Sequence, residues 1–326
     1  MFVQPMLAKA IKLEELSWKK WNNYVIEPKH DGMRAIVVIT KDGPRIYGRS
    51  GKEYTSHVPQ LVEELKKLPV GIILDGELIY STNHVCWDAG IPIVNFNKTM
   101  RIMGSLPARA REMQTAMGPI KLIVWDILGY GNEPLVNQSW YRRRALLVSI
   151  YETYFNPSFI VILNAVWNVK DYYEGAEGAY YDLVSADVEG IILKEKNSFY
   201  LPGGRRANTW YKLKAEKTFD VVVMGGTKGT GKYSHLIGAL EFGVYDYDGK
   251  LVYIGKCSGM TDEERERWTK YLAERKNSTP LQVIEIKSND LVGSGKFRTP
   301  RHPQYLRVRT DKYPADCKID QFLVEE

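Results

Sequence analysis

Residues 27–34, EPKHDGMR, run into residues 33–40, MRAIVVIT, and the reading of the fold starts at this junction. The octapeptide places a lysine after a proline and follows it with an acid, a glycine and an arginine. The run after it is apolar and β-branched, as expected of a strand. Residues 41–44, KDGP, then supply an Asp-Gly turn, and residues 45–55, RIYGRSGKEYT, a second strand.

Helix and sheet alternate from there. Val58, Leu61, Val62, Leu65 and Leu68 have helical spacing, and residues 70–80, VGIILDGELIY, return to a buried strand. The stretch from Trp87 to Pro119 is less regular, although Pro107 suits the first position of a helix over PARAREMQTAM. KLIVWDIL (121–128) is a buried strand, and residues 137–154 make an amphipathic helix with Ser139 as its cap. VEGIILKEK (188–196) and NTWYKLKAEK (208–217) complete this set of strands.

After about Lys217 the texture changes. FDVVVMGG, GALEFGVYDYDGKLVYIGKC and LQVIEIKS are short strands split by Gly and Asp-Gly turns, with one helical interval at TDEERERWTKYLAER. That pattern fits a small Greek-key barrel of the OB type. The expected class is α+β, with a first domain over residues 1–216 and an OB-fold domain over residues 217–326.

With 326 residues, 44% of them hydrophobic and 26% charged, the chain can bury a substantial core. No stretch approaches the roughly 18 uninterrupted apolar residues of a membrane span, and the start lacks a secretory signal. The expectation is a cytoplasmic protein without membrane association. Cys86, Cys257 and Cys317 are far apart and form no CxxC pair, so inert thiols are expected rather than disulfides or a zinc site. The net charge of +6 leans toward polyanions, most visibly over residues 294–312. There Lys296, Arg298, Arg301, Arg307, Arg309 and Lys312 face a single acid, Asp311.

Residues 226–233, GTKGTGKY, imitate a phosphate-binding loop. Tyr233 stands where Ser or Thr would hold magnesium, and the residues after it look like a strand, so a glycine-rich hairpin is expected.

Six further segments accompany the octapeptide in order: YGRSGKEYT (47–55), LDGELI (74–79), LIVWDIL (122–128), VEGIILK (188–194), NTWYKLK (208–214) and RHPQYLRVRTDK (301–312). Together they resemble the motifs of the covalent nucleotidyltransferases, most closely the ATP-dependent DNA ligases. The likeness runs from Glu27 to Lys312 and rests on the ordered set rather than on any one match.

The resemblance implies an adenylation domain of antiparallel sheets with flanking helices, followed by an OB-fold. It also implies that Lys29 attacks the α-phosphate of ATP to form lysyl-AMP. The AMP passes to a DNA 5′-phosphate, and a 3′-hydroxyl then displaces it to seal a nick. By position, Glu27, Arg34, Arg49, Glu77, Trp125, Lys194, Lys212, Lys214, Arg309 and Lys312 are the expected nucleotide ligands. Glu77 and Glu189 would hold Mg²⁺, or Mn²⁺ in its place. Trp125 occupies the position of the aromatic that stacks on adenine, where the family commonly has Phe or Tyr. In the terminal motif, Thr310 stands where Glu is common; that motif folds over ATP in the first step and then swings away. Arg298, Arg301 and Arg307 would meet DNA phosphates. The expected partner is nicked double-stranded DNA, bound by a monomer.

Chemistry points the same way. A free lysine has a pKa of about 10.4, leaving roughly one molecule in 2,500 neutral at pH 7. Lys29 must therefore be activated, and neighbouring cations such as Arg34, Lys194, Lys212 and Lys214 disfavour its ammonium form. The same cations match charge that develops on phosphoryl oxygens. Lys212 and Lys214 alternate along a strand and so face one way.

Three other enzymes share the lysine chemistry. An mRNA-capping guanylyltransferase is disfavoured by NTWYKLK and RHPQYLRVRTDK, and an RNA ligase commonly lacks the barrel and terminal motif. An NAD-dependent ligase needs a module ahead of its lysine, and 28 residues precede Lys29 here. A non-catalytic DNA-binding protein with a decayed transferase domain would have lost some motif charges, and each of the seven segments keeps its own.

Overall fold

The computed structural model describes residues 2–16, 21–86, 91–131, 133–155, 159–162, 166–186, 188–204, 206–276, 280–288, 291–293 and 297–323. The chain divides into two compact units, Met1–Lys214 and Ala215–Glu326, a break slightly N-terminal of the expected one.

In the first unit the strands are β1 (Leu7–Ala10), β2 (Tyr24–Pro28), β3 (Met33–Thr40), β4 (Gly43–Gly48), β5 (Ile73–Ile79), β6 (Ser81–Cys86), β7 (Ile91–Val94), β8 (Lys121–Tyr130), β9 (Glu133–Pro134), β10 (Ile160–Ile162), β11 (Trp167–Asn168), β12 (Gly190–Glu195) and β13 (Arg206–Lys214). The helices are α1 (Pro59–Leu65), α2 (Phe96–Met103), α3 (Pro107–Met117), α4 (Trp140–Tyr154) and α5 (Gly175–Ser185). One sheet runs β1-β13-β12-β2-β11 and a second β10-β8-β5-β3-β4, with β9 against β8. Pairing is antiparallel except for β1 with β13 and β10 with β8.

Strand β3 shows why the run from Ala35 to Ile39 is apolar without a break. Successive side chains point to opposite faces. Ala35, Val37 and Ile39 pack with Leu61 and Leu65 of α1, Ile102 of α2, Ala110 of α3 and Leu147 of α4. Ile36 and Val38 turn the other way and meet Val25 of β2 and Trp210 of β13 in the first sheet. The far side of that first sheet, through Ile26, Ile191, Leu193 and Leu213, packs on Ala176, Ala179 and Leu183 of α5. The order of layers is helices, sheet, sheet, helix.

Local signals account for the helix starts. Ser139 accepts the Arg142 N–H at 3.4 Å, and Pro107 opens α3 at its first position. The described part of the stretch from Trp87 to Pro119 is more regular than expected, since α2 precedes α3. Asn95 caps α2 by accepting the Lys98 N–H at 2.9 Å. Residues 87–90 lie outside the described residues. Helix α5 was not anticipated, because four of its six buried residues, Gly175, Ala176, Gly178 and Ala179, give little apolar contrast beside Tyr180 and Leu183.

The second unit carries β14 (Lys217–Lys228), β15 (Ile237–Tyr245), β16 (Leu251–Cys257), α6 (Asp262–Glu274), β17 (Val283–Ser288), β18 (Leu291–Val292), β19 (Thr299–Pro300) and β20 (Gln304–Val308). Its main sheet runs β16-β15-β14-β17-β20 and is antiparallel along that path. This is the OB-type strand order, with α6 between the third and fourth strands. The path is open rather than fully closed. Its edge strands approach at a single parallel bridge, Ser258 with Gln304, where the Tyr305 N–H donates to the Ser258 carbonyl at 2.8 Å. Thr261 and Glu264 form a capping box on α6, and Trp268 of that helix fills the core beside Phe242 and Tyr305.

The imitation phosphate loop is the β14–β15 hairpin. A single 3-10 turn, Gly231–Tyr233, precedes β15, so no helix N-terminus faces the glycines. Cys257 and Cys317 are free and buried, and burial pushes both thiols up to about 12. The side chain of Cys86 lies outside the described residues. Among the described residues no helix is long and apolar enough to cross a membrane.

One buried pair ties α4 to β8. Arg143 donates to both oxygens of Asp126 at 2.7 and 2.8 Å, and neither side chain is more than 1% exposed. Removing one partner of such a pair strands the other charge in the interior. Arg143→Ala is therefore expected to lose about 3–5 kcal/mol of stability. Urea unfolding followed by tryptophan fluorescence checks this, and an unchanged midpoint would mean that Asp126 needs no partner.

Candidate active site

The alternation that buries apolar side chains between the sheets also sets charged ones face to face. From the second sheet Arg34, Glu77 and Trp125 point inward, and from the first Glu27, Lys194 and Lys212 do the same. With Lys29, His30, Arg49, Leu7 and Ala8 they line a cavity of about 230 Å³.

Lys29 sits in the short link between β2 and β3. Its N–H donates to the Gly190 carbonyl at 2.9 Å, which joins the link to the start of β12. Gly32 lets the link pass close to β5, since a Cβ there would lie 2.5 Å from the Leu78 carbonyl oxygen and 2.7 Å from Glu77 Cγ. The Lys29 ammonium pairs with Glu189, whose other oxygen takes Lys214 at 2.5 Å. Burial works against ionisation of Glu189, and the two ammoniums overcome it and hold the carboxyl below its usual range. Arg34, Lys194 and Lys212 line the same cavity as Lys29, but the direct partner of its ammonium is not a cation. An acid holds it, and a second lysine shares that acid. Lys214 takes part through Glu189 and does not line the cavity itself.

Glu77 and His30 are both shifted toward neutrality. Burial lifts Glu77 to about 8, although Lys29 and Arg34 pull the other way. Burial and then the Lys29 charge lower His30 to about 4, so its imidazole is neutral at pH 7. Lys194 and Glu27 form a buried pair at 2.6 Å, and the Lys194 ammonium lies 4.3 Å from the Trp210 ring centre. Desolvation raises Glu27 and lowers Lys194, and each charge partly restores the other.

Arg34 is less free than a simple phosphate ligand. Its Nε and Nη2 donate to Asp75 at 2.5 Å each, and its guanidinium stands 4.7 Å from the centre of the Trp125 ring. Trp125 is the extra residue of a β-bulge, because Gly76 pairs with Val124 and Asp75 with Asp126. Bulges re-aim side chains, and this one delivers Trp125 to the cavity and Asp126 to Arg143. Arg49 is exposed at the cavity wall.

The remaining expected residues belong to the second unit. Arg309 donates to Asp220 at 2.7 Å and to Asp311 at 2.9 and 2.8 Å, and Lys312 reaches Asp220 at 3.1 Å. Arg307 is exposed but paired with Glu285 at 2.6 Å across β17 and β20, so its charge is partly neutralised. The Arg298 N–H donates to the Phe322 carbonyl at 2.8 Å, and the Arg301 carbonyl accepts the Ser288 hydroxyl at 2.7 Å. Lys296 lies outside the described residues.

Asp75, Asp126, Arg143, His30, Tyr200 and Trp210 belong to the site or its support and were not singled out from sequence. Asp75 and Asp126 carried a signal, since each interrupts an apolar strand and a buried charge demands a partner. Among the described residues no group of three or more His, Cys, Asp or Glu side chains stands ready for a metal. Glu77 and Glu189 nevertheless suit Mg²⁺, which takes one or two carboxylates and completes its shell with water and phosphate oxygens.

A carboxyl whose folded pKa is raised holds a proton that the unfolded chain has already lost, so stability falls as pH rises between the two values. Glu77→Gln is expected to gain on wild type as pH rises from about 4.5 to about 8, by at most about 1.4 kcal/mol per pH unit. Urea midpoints at a series of pH values test this, and a pH-independent difference would show that Glu77 titrates normally.

Comparison with known proteins gives consistent matches. The profile of the "ATP dependent DNA ligase domain" matches residues 5–214, and that of the "ATP dependent DNA ligase C terminal region" matches residues 233–312. A DNA ligase of Archaeoglobus fulgidus is 30% identical over 331 residues, covering 95% of this chain and 56% of that protein. A DNA ligase of Thermococcus onnurineus is 29% identical, covering 97% of this chain and 57% of its own. This chain thus spans a little over half the length of these curated relatives. Among solved structures, one presented as "DNA binding with a minimal scaffold: Structure-function analysis of Lig E DNA ligases" shares the fold, with a TM-score of 0.63 at 19% identity. That match covers 95% of this chain and 100% of the other. On the two profile matches, which together span most of its length, the chain belongs to the ATP dependent DNA ligase family.

Proposed function

We propose that this protein is an ATP-dependent DNA ligase that joins a 5′-phosphate to a 3′-hydroxyl at nicks in duplex DNA, acting as a monomer in the cytoplasm. The observation that carries the reading is Lys29, paired with Glu189 at a cavity lined by Arg34, Lys194, Lys212, Glu77 and Trp125. An amine held by an acid and flanked by fixed cations suits attack on a polyphosphate, because the cations offset charge that develops on the phosphoryl oxygens.

In this reading Lys29 Nζ attacks the α-phosphorus of ATP, a phosphorus–nitrogen bond forms, and the bond to pyrophosphate breaks. Lys212 serves the α-phosphate from the cavity lining, and Lys214, on the same face of β13, supports that charge through Glu189; Arg34 and Arg49 serve phosphate or ribose, and Glu77 the ribose. Trp125 offers its ring to adenine beside Glu27, with Lys194 neutralising that carboxylate. Glu77 and Glu189 would hold Mg²⁺ or Mn²⁺, which supplies positive charge at the triphosphate. The AMP then passes to the DNA 5′-phosphate, and the 3′-hydroxyl displaces it. Arg309 and Lys312 are proposed for the departing pyrophosphate on the strength of their motif. Arg298, Arg301 and Arg307 are proposed for DNA phosphates, with Arg307 the weakest of the three because Glu285 already holds it.

Incubation with α-labelled ATP and GTP should label the protein from ATP alone, and Lys29→Ala should abolish labelling. Capture of GMP would favour a capping guanylyltransferase, and a labelled Lys29→Ala would move the nucleophile elsewhere. Sealing of nicked DNA and nicked RNA in parallel separates a DNA ligase from an RNA ligase.

Lys29→Ala should still bind nicked duplex. Charge reversal at Arg298 and Arg301 should weaken that binding, most visibly at low salt. It should also flatten the dependence of log K on log salt by about 0.9 for each phosphate no longer neutralised. An unchanged salt series would remove both residues from the DNA surface.

A further inference from the structure

The hydrogen bonds that hold Arg34 continue beyond Asp75. Asp75 has no exposed side-chain surface, and besides Arg34 its carboxylate accepts the Tyr200 hydroxyl at 2.8 Å. The Tyr200 oxygen in turn accepts the Met6 N–H at 3.0 Å, and the Met6 carbonyl accepts Arg34 Nη2 at 3.3 Å. Four residues close a ring: Arg34 to Asp75, Asp75 to Tyr200, Tyr200 to Met6, and Met6 back to Arg34.

Tyr200 and the chain around Met6 are anchored outside the ring as well. Tyr200 is 1% exposed, its N–H donates to the Val136 carbonyl at 2.9 Å, and its aromatic ring meets the edge of Trp210 at 5.5 Å. The chain around Met6 is tied to the same loop, since the Gly203 N–H donates to the Gln4 carbonyl at 3.1 Å. Leu7 and Ala8, which follow directly, line the cavity. Asp75 grips Nε and Nη2 and so sets the guanidinium against its own carboxylate, but alone it would leave the pair to turn as a unit. With Tyr200 on the carboxylate and Met6 on the guanidinium, the plane of Arg34 is defined from two sides. That plane lies 4.7 Å from the centre of Trp125.

We propose that Tyr200 is a positioning residue for nucleotide binding: acting through Asp75 and the Met6 backbone, it fixes Arg34 beside Trp125 and makes the Met6–Ala8 segment part of the nucleotide pocket. The inference rests on the ligase reading and deepens it, because a segment far from the lysine in sequence becomes part of the adenylation site.

The test uses the full chain. Tyr200→Phe removes one oxygen and keeps the ring that packs on Trp210. It is compared with wild type well below the lower of their two thermal midpoints, by self-labelling with α-labelled ATP and by isothermal titration of ATP into the Lys29→Ala background. The KM for ATP and the Kd should both rise about tenfold, equivalent to about 1.4 kcal/mol. The maximal labelling rate should change by less than about threefold, since no reacting atom is touched. In an Arg34→Met background, adding Tyr200→Phe should cost nothing further.

A Tyr200→Phe protein with a lowered midpoint but unchanged KM and Kd would overturn the proposal, and so would losses that multiply in the double variant. A wild type that binds ATP but forms no adduct would overturn the ligase reading alone, and the titrations would still decide the role of Tyr200. A wild type that binds no ATP would overturn both.

Discussion

A charge removed from water must be met by an opposite charge, and three such pairs organise the interior of the first unit: Asp75 with Arg34, Asp126 with Arg143, and Glu27 with Lys194. Asp75 and Asp126 are direct neighbours across β5 and β8. Two adjacent buried carboxylates call for two cations approaching from different sides. Arg34 comes from β3 and Arg143 from α4, so satisfying the acids also docks the helix on the sheet. Glu27 and Lys194 fasten β2 to β12 in the other sheet. Two of these pairs also place charges in the wall of the cavity, through Arg34, Glu27 and Lys194.

Glu189 is built differently. It is 7% exposed and is shared by Lys29 and Lys214, which are 18% and 30% exposed. Its carboxylate holds two ammoniums at once, one on each oxygen. The second unit repeats the theme near its surface, where Asp220 gathers Arg309 and Lys312 and Glu285 gathers Arg307. Several of its basic residues already have acidic partners, so a count of positive charge overstates what is free for a polyanion.

Much of the first unit could be read in the sequence because period-two alternation is a local property. NTWYKLK announced Lys212 and Lys214 on one face, and β13 carries Tyr211 and Leu213 into the core on the other. VEGIILK and LDGELI were legible in the same way. Helix α5 escaped notice because glycine and alanine make up four of its six buried residues and weaken its apolar periodicity. Helix α2 was missed because, over eight residues, a short helix shows few turns of pattern. The bulge at Trp125 left no trace in sequence either, since it exists only relative to the partner strand.

What the sequence determined by itself was the kind of each main strand, the face on which its charged residues stand, and the lysine that follows Pro28. Those depend on neighbours a few residues away. Only the tertiary structure decided which acid each cation meets. Lys29 and Glu189 are 160 residues apart, and Tyr200 and Asp75 are 125 apart. Ion pairs and hydrogen bonds need their atoms within a few ångström, and that distance is set by strand register, a bulge and the stacking of two sheets. Tyr200 shows the difference most plainly. In sequence it is one aromatic in a loop, and in the fold its hydroxyl joins the N-terminal segment to the arginine beside the cavity.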